Sequence, residues 1–100
     1  MTYHGINIPR DAIATFCQRH SIRRLSLFGS ILRDDFGPQS DVDVLVEFEP
    51  GHVPGLAFFA MQDELTALFG HKVDLHTAAS LSKYFRDEVL AEAEVQYVAA

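Results

Sequence analysis

Apolar residues follow two rhythms along the chain. After Pro9, which suits a first helical turn because its missing N–H is no loss there, Ile13, Phe16 and Cys17 recur at helical spacing. The pattern predicts an amphipathic helix over residues 9–20. Leu25, Leu27 and their neighbours form a short apolar run that stops at Gly29, which predicts a buried strand. Ser30 then offers a cap for a helical turn reaching about Asp35, and Gly37-Pro38-Gln39-Ser40 is a loop by composition. Residues 41–48 alternate, with Val42, Val44, Val46 and Phe48 on one face and Asp41, Asp43, Leu45 and Glu47 on the other. A period of two means strand.

A breaker-rich loop, Pro50 to Gly55, leads into a helical stripe of Phe58, Met61, Leu65, Leu68 and Phe69, which Gly70 is placed to stop. Lys72 to Thr77 predicts a third strand, with Val73 and Leu75 facing one way and Asp74 and His76 the other. Leu81, Phe85 and Val89 mark a last helix, with Ser80 or Ser82 as its cap, and Val95 to Val98 reads as either a helix end or a short extra strand. The order predicts an α/β or α+β domain, a small mixed sheet covered by helices mainly on one face.

Composition narrows the class. One hundred residues, 1–100, make a single domain with a modest core. A net charge of -6 argues against direct nucleic-acid binding, which needs a basic stripe. The lone Cys17 excludes an internal disulfide, and its place on a helix face suits a buried apolar role. No apolar run is long enough to span a bilayer and the N-terminus carries no signal pattern, so the expected location is the cytoplasm.

The chemistry concentrates in two places. Residues i and i+2 of a strand point the same way, about 6.5–7 Å apart at Cα, so Asp41 and Asp43 can converge on one cation or bridge two. Magnesium takes one or two protein carboxylates plus phosphate oxygens, and a second ion needs a third carboxylate, for which Asp74 is the candidate. Gly29 lets the backbone approach a ligand closely, and N–H groups opening the turn at Ser30 can bind phosphate. Arg33, one turn on, offers a cation to the same phosphates. Each piece alone has a plain structural use: Gly-Ser in loops, Asp-x-Asp as a strand-start cap, Arg33 as a surface cation beside Asp34 and Asp35. The combination is far more specific than its parts.

Gly29-Ser30, ten residues, then Asp41-Val42-Asp43 resembles the polymerase-β-like nucleotidyltransferase superfamily. The longer run from Leu27 through Arg33 and from Ser40 to Phe48 looks like its minimal (MNT) branch, and the likeness continues through Gly70 to Leu75 and Arg86 to Ala93. The resemblance implies a mixed sheet flanked by helices. It implies Mg²⁺, as two ions, on Asp41, Asp43 and Asp74, and ATP phosphates on Gly29 and Ser30. It also implies an antitoxin that assembles with a HEPN-domain ribonuclease toxin and neutralises it by transferring AMP from ATP to a toxin tyrosine. Two departures stand out. Asp34 replaces a frequent glycine, and His76 replaces a frequent apolar residue, either as a partner of Asp74 or as an ordinary strand-end polar residue. The rival functions are a binding antitoxin that only occludes its toxin, and an aminoglycoside-type small-molecule transferase. The latter is disfavoured because so short a chain leaves little to form an acceptor pocket. The Val53 to Leu56 loop and Phe58-Phe59 offer an apolar patch for a protein partner, set against burial of those phenylalanines in the core.

Overall fold

The structure, a computed structural model, describes residues 2–100. It opens with a two-stranded hairpin, β1 (Thr2–Tyr3) and β2 (Ile6–Asn7), turned at His4 and Gly5 with both φ positive. The periodicity did not predict this hairpin, because two-residue strands carry no readable alternation. Helix α1 (Arg10–Arg19) follows with Pro9 as its N-cap, then β3 (Ile22–Phe28) and a 3₁₀ turn over Gly29–Leu32. Next come β4 (Val42–Phe48), α2 (Ala57–Phe69), β5 (Val73–His76), a 3₁₀ turn at Ala78–Ser80, α3 (Arg86–Glu92) and β6 (Glu94–Val98).

The main sheet is mixed, in the order β5-β4-β3-β6. β4 runs antiparallel to β3 and parallel to β5, and β6 closes the far edge antiparallel to β3. The tail is thus a strand, which resolves the alternative left open by its sequence.

One face of the sheet makes the core. Leu25 and Leu27 of β3, Val42, Val44 and Val46 of β4, and Val73 and Leu75 of β5 pack with Ile13, Phe16 and Cys17 of α1 and Met61, Leu65 and Phe69 of α2. Helix α2 stops where Gly70 takes the left-handed conformation at φ 66° and its N–H bonds the Thr66 carbonyl. Arg19 and His20 at the end of α1 both pair with Glu64 of α2, joining the two covering helices. Tyr3 Oη donates to Glu94 Oε1 at 2.6 Å and ties the N-terminal hairpin to β6.

Two expectations are corrected. Ser30 does not cap the turn after β3; it lies inside it, and Phe28 at the cap makes no side-chain bond. The last helix is shorter than its apolar spacing implies and buries no residue, leaving Phe85 exposed before it. Arg86 instead holds the preceding segment, its Nε donating to the Ala78 carbonyl at 2.8 Å and Nη2 to the Leu81 carbonyl at 3.2 Å. The Phe58-Phe59 pair divides: Phe58 packs against the core, while Phe59 is 66% exposed.

Cys17 is fully buried, and burial alone pushes its thiol up to about 12. It should therefore resist a thiol-specific reagent in the native protein at neutral pH and react stoichiometrically in denaturant. Rapid native labelling would contradict its place in the core.

Candidate active site

The face of the sheet turned away from α1 and α2 carries the polar chemistry. In β4 and β5 the parallel register sets Asp43 opposite Asp74 and Leu45 opposite His76. Across the antiparallel ladder, Phe28 stands opposite Asp43. Buried valines and leucines at the alternate positions fix this register, since a slip of one residue would turn the acids into the core. One donor atom from each of Asp43, Asp74 and His76 lies within 4.8 Å of the other two. The imidazole sits between the carboxylates, Nε2 3.3 Å from Asp43 Oδ1 and 3.2 Å from Asp74 Oδ2, with its ring edge-on to Phe28 at 5.1 Å. The hydrogen bond to Asp43 and the negative charges of Asp74 and Asp43 raise the pKa of His76 above the usual histidine value, although burial pulls the other way.

Gly29 lies against the Asp43 side of this cluster. Its φ is +78°, and a Cβ built there would fall well inside contact distance of Asp43 Oδ2 and only 3.3 Å from Asp43 Cγ. Any larger residue would meet both a strained backbone and a carboxylate. The missing side chain leaves backbone and carboxylate facing each other closely, as a phosphate–metal site requires.

The remaining sequence candidates lie further out. Asp41 falls one residue before β4 rather than within it, and its carboxylate is not part of the cluster. Its Oδ2 instead faces the Lys72 ammonium at 3.8 Å. Such an exposed pair holds the side chain only weakly. Ser30 sits half-buried in the 3₁₀ turn directly after Gly29. Arg33 leaves that turn in extended conformation, its Nε 3.5 Å from Asp35 Oδ1, and Asp34 is exposed beside it. The structure thus brings Gly29, Asp43, Asp74 and His76 together, and sets Asp41 and Arg33 at the margin.

His76 is the member whose place the residue pattern signalled least. Its sole cue is the shared strand face with Asp74, two residues back. Two carboxylates and an imidazole nitrogen converging beside an open glycine at Asp43 suit a divalent cation.

Comparison with known proteins identifies the family. The sequence profile of the nucleotidyltransferase domain family matches residues 10–95. The protein adenylyltransferase MntA of Thermococcus cleftensis is 38% identical over 76 residues, 75% of each chain. A toxin–antitoxin complex solved with AMP-PNP contains a chain that superposes with TM-score 0.72 at 18% identity, covering 92% of this chain and 75% of that one. A complex of a tri-AMPylated Shewanella oneidensis HEPN toxin with its MNT antitoxin matches with TM-score 0.64 at 18% identity, over 90% of this chain and 70% of that one. At such identities the two structures establish a shared fold. The profile covers most of the chain and the MntA relative three quarters of it, so this protein belongs to the nucleotidyltransferase domain family, in the minimal branch that includes protein adenylyltransferases.

Proposed function

We propose that this protein is an antitoxin that transfers AMP from ATP to a tyrosine hydroxyl of a cognate HEPN ribonuclease toxin, in an Mg²⁺-dependent reaction. The observation that carries the reading is the pairing of Asp43 with Asp74 across the β4–β5 ladder, with Gly29 packed against the Asp43 carboxylate. The adenylyltransferase activity named for the MntA relative and the AMPylated toxin named in the structural neighbour support the choice of acceptor.

In this reading Gly29 and Ser30 receive the triphosphate on backbone N–H groups at the start of the turn. Asp43 and Asp74 would hold divalent metal, and Asp41, held only weakly by Lys72, would be the third carboxylate available to it. When bound there, metal would neutralise the phosphate charge that develops in an in-line displacement. Arg33 faces the same phosphates after releasing Asp35, a weak and exposed partner. The acceptor oxygen forms a bond to the α-phosphorus while the bond from that phosphorus to the bridging oxygen breaks. Pyrophosphate leaves with the electron pair, and the hydroxyl proton passes to Asp74, which at 49% exposure is the most accessible carboxylate of the cluster. Catalysis then consists of positioning and charge stabilisation.

A protein acceptor also suits the surface. Val53, Leu56, Phe59, Tyr84 and Phe85 are all 60% exposed or more. Val53, Leu56 and Phe59 fall within seven residues of one another along the chain, and an apolar stretch left this open is compatible with a macromolecular acceptor. The test is incubation of this protein and its intact partner toxin with Mg²⁺ and ATP labelled at the α-phosphate. Label on the toxin is expected; an unlabelled toxin overturns the reading.

A further inference from the structure

His76 has no part in that scheme, yet it touches both carboxylates of the cluster. A histidine that merely steadies a ligating carboxylate approaches one oxygen from behind. Here a single nitrogen, Nε2, lies 3.3 Å from Asp43 and 3.2 Å from Asp74 and so occupies the space between them. An ion held between Asp43 Oδ1 and Asp74 Oδ2 would meet this ring. Either the imidazole leaves or its Nε2 lone pair joins the ligand set. Leaving is opposed by packing: the ring rests edge-on against Phe28, its side chain is only 23% exposed, and it is borne on a strand whose register is locked by Val73 and Leu75.

The spacing suits joining. Donors about 2.1 Å from one ion lie roughly 3.0 Å apart at a right angle and roughly 3.4 Å apart at the tetrahedral angle. The two distances at Nε2 fall between these limits. Two carboxylates alone form the hard oxygen set that Mg²⁺ accepts, whereas an imidazole nitrogen adds affinity for first-row transition ions.

We propose that His76 is a metal ligand, making this a mixed imidazole–carboxylate centre that holds first-row transition ions more tightly, relative to Mg²⁺, than its two carboxylates alone would. The inference rests on the same metal site as the transferase reading, but it concerns which ion the site holds and not what is transferred.

The test uses tag-free, chelator-stripped protein and Mn²⁺ as the probe, without ATP or toxin. Electron spin-echo spectroscopy of bound Mn²⁺ should show modulation from a directly coordinated ¹⁴N. That modulation should vanish in His76→Leu and in His76→Gln, each confirmed as folded by circular dichroism. Competition titration should show the preference for Mn²⁺ over Mg²⁺ falling about tenfold in both variants. Three results would overturn the proposal: no Mn²⁺ binding, bound Mn²⁺ without ¹⁴N modulation, or a preference unchanged in both variants. A coordinated nitrogen in a protein that transfers no AMP would leave the proposal standing and remove the transferase reading instead.

Discussion

Asp43→Asn should abolish AMP transfer while leaving the fold intact. The residue lies on the polar face of β4, opposite Asp74 and against His76, with its side chain 27% exposed. The amide keeps the shape and the strand register, so the valines on the opposite face of β4 remain packed. What is lost is a full negative charge at the centre of the cluster. An amide holds a divalent ion far less well, and the phosphate charge would go uncompensated. The expected loss is about a thousandfold in kcat/KM, on the order of 4 kcal/mol of transition-state stabilisation. Thermal unfolding should shift little, since no core contact changes. If toxin neutralisation survived in full, occlusion rather than chemistry would explain the antitoxin effect.

The second large effect is Gly29→Ala. At φ +78° an alanine costs about 1–2 kcal/mol in backbone strain. Its Cβ would also press on the Asp43 carboxylate, which has Phe28 opposite its backbone and His76 on its other oxygen, so relief requires the cluster to open. A total of about 2–3 kcal/mol is expected, read as a lower urea midpoint at unchanged slope, together with loss of transfer. The two causes separate in a double variant. Adding Asp43→Ala removes the carboxylate that the new methyl meets, so the pair should cost about 1 kcal/mol less than the sum of the single changes. Additivity would mean that Gly29 serves only the backbone.

The residue pattern carried the fold where periodicity was long enough to read. Val42 to Phe48 alternates over a whole strand, and the α2 stripe ends on a glycine that does take the left-handed form. Alternation in two strands also set Asp43 and Asp74 opposite the apolar positions of their own strands, so that side-by-side pairing would bring them to one face. Two things were not legible. Parallel register between β4 and β5 is a long-range choice made by packing, so the sequence could nominate Asp74 but not set it opposite Asp43 rather than Asp41. The region from Leu81 to Glu92 has helical spacing but no sheet surface to bury against, and tertiary contact rather than pattern decides how much of it becomes helix. Asp41 shows the same limit at one residue. An Asp-x-Asp repeat puts two acids on one face only if both lie in the strand, and Asp41 stands just before it, beside Lys72.

The claim on which the rest depends is that Asp43 and Asp74, with Gly29 against Asp43, perform AMP transfer to a partner. The most direct measurement is the intact mass of the toxin after co-expression with the wild-type protein and, separately, with Asp43→Asn. The account predicts a toxin heavier by one or more AMP units beside the wild type and an unmodified toxin beside the variant. An unmodified but neutralised toxin beside the wild type, or equal modification beside both, would contradict it.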